Sequence, residues 1–168
     1  MNETKLKEKN GEHPFGDTGQ IILFILFVIL WVADSFFLRR TTFLSTSVPL
    51  ILRIVVAVIV WTAGVWLVKA GHVVVNEGER PQEVVRSGAF RYVRHPLYLG
   101  SLLLYLGFTI VTLSLLSLGM FVVIFLFYDA IARYEERLLL AKFGEPYRHY
   151  SRVAGRWLPK SLGGGAGV

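Results

Sequence analysis

Apolar residues in this chain run in long unbroken blocks rather than at the three- and four-residue spacing of a surface helix. Four blocks stand out, at 19–38, 48–68, 97–113 and 115–132, and each is long enough to be read as a membrane-spanning helix. The last two belong to one uncharged stretch, because no Asp, Glu, Lys or Arg occurs from Pro96 through Tyr128. As a single helix those 33 residues would extend ~50 Å, well beyond a hydrocarbon core of ~30 Å. The stretch must therefore fold back, and the polar, small break at Ser114 and Ser117 is where the turn is expected. Such a hairpin returns two charged, aromatic clusters, residues 91–100 and 129–136, to the same face of a membrane. The pattern predicts an all-α integral membrane bundle of about four transmembrane helices ending in a helical hairpin. It forms one domain over 19–160, between a mobile tail at 1–18 and a flexible glycine-rich end at 161–168.

Composition agrees with that class, since 54% of the 168 residues are hydrophobic. The net charge of +6 would otherwise raise the possibility of a nucleic-acid partner. The distribution of the 18 lysines and arginines decides against it. Fifteen lie before the first block, between the second and third, or from Arg133 onward, whereas only Arg39 and Arg40 lie between the first and second. The positive-inside rule produces this asymmetry when both termini are cytoplasmic. The first block, preceded by a largely polar lead of eighteen residues and lacking a small-residue cleavage site, reads as an anchor that stays. There is no cysteine, which removes disulfides, thiolate metal sites and a thiol nucleophile together. His13, His72, His95 and His149 are scattered without ligand spacing, so no metal site is expected.

The connection from Lys69 to Pro96 is longer than a simple turn needs, and the short apolar runs at 73–75 and 83–85 are expected to lie against the membrane surface or the site. Asp34 and Arg53, at the opposite face, are placed to pair across the first hairpin or to snorkel. The last helix is expected to emerge beyond Tyr134, with Gly144 as its cap and Pro146 opening a new turn.

Chemistry concentrates in the two clusters. Pro96 disfavours helical geometry at His95 and suits a first helical turn, so His95 is expected at the entrance of the third helix, with Tyr98 in its first turn. Beyond the hairpin, Tyr128, Ala132 and Glu135 share one helical face, and Asp129, Arg133 and Glu136 share the neighbouring one as a possible ion ladder. Tyr128 and Tyr134 read equally well as residues of an interfacial aromatic belt.

The run Gly88-Ala89-Phe90-Arg91-Tyr92-Val93-Arg94-His95-Pro96-Leu97-Tyr98-Leu99-Gly100, a short hairpin, Glu135-Glu136, and then Phe143-Gly144 with Tyr147 and Tyr150 resembles the isoprenylcysteine carboxyl methyltransferase family and its phospholipid methyltransferase relatives. The resemblance covers roughly 82–159. It implies S-adenosylmethionine bound at the cytoplasmic face against Gln82, Glu83, Val84, Val85, Phe90, His95, Pro96, Leu97, Tyr98 and Glu135. For methyl transfer at such a site the candidate catalytic residues are Glu135, to orient the donor's polar groups, His95, to fix one end of it, and either Glu136 or His95 as proton acceptor for an amine. The location of such a site, at the inner membrane face between apolar helices, points to a lipidic or otherwise hydrophobic methyl acceptor entering from the bilayer. Two positions depart from the pattern. Phe90 stands where tyrosine is common, and Ile131 stands where the isoprenylcysteine enzymes resemble one another in an arginine. Phospholipid amine, isoprenoid acid and thioether acceptors remain open. The competing readings are a sterol-type membrane reductase using NADPH and a non-catalytic membrane scaffold.

Overall fold

The computed structural model describes residues 16–76 and 83–160, which are helical in five main elements. These are α1 (Gly16–Val32, continued by a π-helical turn at Ala33–Leu38), α2 (Leu50–Asn76), α3 (Pro96–Thr112), α4 (Leu115–Phe143) and α5 (Glu145–Val153). Short 3-10 turns at Phe43–Thr46 and Gly88–Arg91 fill the connections. The only extended pairing among the described residues is a parallel bridge between Val93 and Gly155.

Among the described residues three helices are long and apolar enough to cross a membrane, Thr18–Leu38, Leu50–His72 and Leu115–Phe143. Pro96–Thr112 is a shorter apolar helix of 17 residues, ~26 Å long. The expected hairpin is present and tight. Leu113, at φ 50°, takes the left-handed conformation that ends α3, and Ser114 caps α4 by accepting the Ser117 N–H at 3.0 Å. α4 then runs for 29 residues, ~43 Å, so its charged last turns reach past the apolar core. Gly144, at φ 59°, ends it, and Pro146 lies in the first turn of α5.

One expectation is corrected. The connection does not begin at Lys69, because α2 continues to Asn76 and takes residues 73–75 into its last turns. Gly71 does not break the helix, because the absence of a side chain there admits α3. A Cβ on Gly71 would lie 2.8 Å from Leu97 Cδ2. The same device recurs along the α2–α3 contact. A Cβ on Gly100 would meet Gly64 O at 2.7 Å, and one on Gly107 would overlap Trp61 Nε1. Small residues facing each other let two apolar backbones approach closely enough for dispersion to hold them where no hydrophobic effect operates between helices. Trp61 fills the space so made and donates its indole N–H to Leu104 O at 3.0 Å.

α1 packs on the other side, where Phe27, Leu102, Tyr105, Ile124 and Tyr128 form a buried cluster among α1, α3 and α4. At the end opposite the charged clusters, the expected Asp34–Arg53 pairing does not form. Asp34, 1% exposed, instead accepts hydrogen bonds from the Thr41 hydroxyl, from Ser114 Oγ at 2.6 Å and from the Thr41 N–H at 3.2 Å. Arg53 donates to Val48 O at 3.2 Å and Val111 O at 2.6 Å. The carboxylate thus ties the end of α1 to the α3–α4 turn.

Candidate active site

The hairpin brings the two clusters together. His95 is the N-cap of α3 and Tyr98 lies one turn in, with their rings parallel to within 3° at 5.6 Å. Tyr98 donates its hydroxyl to Glu135 Oε1 at 2.6 Å, a charge-assisted bond from α3 to α4. The other oxygen, Glu135 Oε2, is 3.8 Å from His95 Nδ1. On the far edge of the ring, His95 Nε2 is 3.2 Å from Glu136 Oε1. The imidazole therefore stands between two carboxylates. Burial pushes its pKa below the ordinary value of 6.5, an effect that Arg94 and Arg156 reinforce and Glu136 opposes.

Glu136 is gripped by two arginines. Arg94 donates to its Oε1 from Nε at 3.0 Å, and Arg156 spans both oxygens, Nε to Oε1 at 2.9 Å and Nη2 to Oε2 at 2.7 Å. The expected ladder along α4 is therefore only half made. Arg133 pairs with Asp129, but Glu136 turns to Arg94 and Arg156 instead. Asp129 also accepts from Arg156 Nη1 at 3.1 Å and from Trp157 Nε1 at 2.9 Å.

A cavity of about 520 Å³ opens beside this cluster. Glu83, Val84, Val85, Phe90, His95, Pro96, Leu97, Tyr98 and Glu135 all lie on its wall. Gln82 lies outside the described residues. Glu136 is absent from the wall, being turned toward the arginines behind His95. The connection that carries Phe90 is pinned by Tyr150, whose hydroxyl donates to Phe90 O at 2.7 Å, and by Arg86, which donates to Pro146 O at 2.9 Å. Burial pushes the Tyr150 phenol up to about 12, so the hydroxyl stays a donor. Tyr147 lines the cavity beside it.

Part of the wall carries no signature in the sequence. Gln20 of α1, Val68 and His72 of α2, and Ser101 of α3 also line it. Gln20 accepts the Tyr128 hydroxyl at 3.3 Å, and Tyr128, 2% exposed, is a core residue rather than part of an interfacial belt. Only tertiary packing selects these positions, since each sits within an otherwise apolar run. Ile131 is 2% exposed and does not line the cavity.

With this arrangement in view, residues 41–146 match the phospholipid methyltransferase family. The chain belongs to that family. Membership in this family accords with the long apolar helices and does not favour the reductase reading. It is also 32% identical over 89 residues to a Saccharomyces cerevisiae protein-S-isoprenylcysteine O-methyltransferase. That similarity covers 52% of this chain and 37% of the yeast protein, so the chain spans well under half of that relative. No solved structure matches it. The family match takes in the α3–α4 hairpin and both glutamates, and it stops before the segment that supplies Arg156 and Trp157.

Proposed function

We propose that this protein transfers a methyl group from S-adenosylmethionine to a hydrophobic acceptor drawn from the bilayer. The observation that carries the reading is the cavity itself. Nine of the ten residues implied as cofactor contacts line this one cavity, on elements separated by up to about fifty residues in sequence. Its chemistry suits the donor as well. The volume of about 520 Å³ admits a nucleoside with an amino-acid arm, Glu83 and Glu135 favour a cationic ligand, and Phe90 and Tyr98 offer aromatic faces. The bound donor would supply a methyl group on a sulfonium, with its leaving group built in.

The chain's own residues then have to orient, exclude water and manage a proton. Glu135, fixed by Tyr98, holds the donor's polar groups, and Phe90, Leu97, Val84 and Val85 keep water from the transfer path. Such positioning can supply ~7 to 11 kcal/mol of the barrier lowering. The acceptor reaches the cavity on its membrane side, beside Gln20, Val68 and Ser101. In this topology four helices span the bilayer, with α3 as the short fourth span, and both termini and the site face the cytoplasm. Fifteen of the 18 basic residues lie in the segments that such a topology leaves on that side.

The test is transfer of labelled methyl from S-adenosylmethionine into an organic-extractable product by purified protein in lipid vesicles. Label should enter the lipid phase with wild type and fall at least tenfold with Glu135→Gln. Label confined to the aqueous phase, or equal transfer by the variant, would overturn the reading.

A further inference from the structure

Glu136 does not line the cavity, yet three side chains converge on it. Its Oε1 receives Arg94 Nε, Arg94 Nη2, Arg156 Nε and His95 Nε2 within 3.2 Å. A carboxylate so held has no need of a further proton and acts on His95 only as an acceptor. The consequence falls on the imidazole. With Nε2 carrying its hydrogen toward Glu136, Nδ1 is left with a lone pair on the side of Glu135 and the cavity.

The device depends on the segment after α5. Residues 154–158 cross behind the site as a strap. Arg94 N–H donates to Gly155 O at 2.8 Å and Gly155 N–H to Tyr92 O at 3.3 Å, while Arg94 Nη1 reaches Ser151 O at 2.7 Å and Ala154 O at 2.9 Å. A side chain at position 155 is excluded, because its Cβ would overlap Leu158 O. The strap delivers Arg156 to Glu136 and Asp129, and it sets the Trp157 ring 6.0 Å from that of His95. Arg156 is thus the point where the chain's end reaches the site.

We propose that Arg156 is a positioning residue that acts through Glu136 to hold His95 as the neutral Nε2–H tautomer, with Nδ1 presented to the cavity as a proton acceptor. Among the described residues, the charged and titratable groups facing His95 are Glu135 and Glu136 from α4, Tyr98 from α3, Arg94 from the preceding turn and Arg156 from the strap. Burial opposes the imidazolium most and the two guanidiniums add to it, while Glu136 favours it. The inference rests on the methyl-transfer reading for its use. When an N–H or O–H acceptor is methylated, its lone pair forms the bond to carbon, sulfur keeps the electron pair of the bond that breaks, and the released proton passes to Nδ1.

The experiment is a long-range 1H–15N correlation of the full chain labelled at histidine, in micelles, with His95 assigned by His95→Gln. It is read beside the pH profile of kcat/KM. Wild type should show neutral His95 with hydrogen on Nε2 at pH 7. Arg156→Gln should raise the His95 titration and the acid limb of the profile together by roughly one pH unit. Arg156→Lys, which keeps the charge, should hold both close to their wild-type positions. Glu136→Gln should move both in the opposite direction, which keeps the test open if Arg156→Gln does not fold. A hydrogen on Nδ1 in wild type, or a titration that Arg156→Gln and Glu136→Gln leave in place, would overturn the inference. Failure of methyl transfer with the tautomer intact would instead remove the functional reading alone.

Discussion

At the scale of single residues, the site is organised by which carboxylate faces what. Glu135 faces the cavity and takes the Tyr98 hydroxyl, whereas its neighbour Glu136 faces backward into two arginines. Adjacent residues on a helix lie about 100° apart, so Glu-Glu in sequence supplies one group for ligand and one for framework. Tyr98→Phe removes a hydrogen bond to a charged group, and S-adenosylhomocysteine binding measured by calorimetry should weaken by about tenfold, ~1.4 kcal/mol. Full affinity in that variant would show that the Tyr98–Glu135 bond does not serve the ligand. The lowered pKa of His95 has a consequence for stability as well. The unfolded chain takes up this proton near pH 6.5, above the folded value, so the residue's contribution is complete above that pH and is lost as pH falls toward the folded pKa. Thermal unfolding followed from pH 8 to pH 5 should show a steeper loss of stability in wild type than in His95→Gln. Parallel curves would place the titration elsewhere.

Among the helices, much is legible in the order of residues alone. The uncharged run from Pro96 through Tyr128 requires a turn, and Ser114 provides it as the cap of α4. Pro96 marks the start of α3 because a fixed φ and a missing N–H fit only the first turn. The length of α2 is not legible in this way, because Gly71 reads as punctuation in sequence and acts as a contact surface in the fold. Its role depends on Leu97, 26 residues away, which no local pattern encodes. At the α2–α3 contact, Gly107→Ala should displace Trp61 and break its bond to Leu104 O, destabilising the protein by about 1 to 3 kcal/mol. A detergent-based thermal melt checks this, and an unchanged midpoint would mean that Trp61 is free to move.

For the whole molecule, two ties at opposite ends hold the helices in register. At one end, Asp34 joins the end of α1 to the α3–α4 turn through Thr41 and Ser114. At the other, the strap at 154–158 joins the chain's end to α4 and to the turn before α3. Neither tie is legible in the sequence, and the reason is shared. Asp34 reads as the natural partner of Arg53, and Arg156 as one more basic residue on the positive side, because sequence shows charge but not which distant group meets it. Replacing Asp34 by Ala removes the acceptor that the Thr41 and Ser114 hydroxyls share, and unfolding should become easier by about 1 to 3 kcal/mol without a change in donor affinity. Loss of affinity along with stability would mean that the two ends are coupled.

The most direct measurement is calorimetric binding of S-adenosylhomocysteine to detergent-purified protein, comparing wild type with Glu135→Gln and His95→Ala. A methyl-donor site in this cavity predicts saturable binding that both substitutions weaken by at least tenfold while the protein remains folded. A folded wild type that does not bind, or two variants that bind as wild type does, would contradict it.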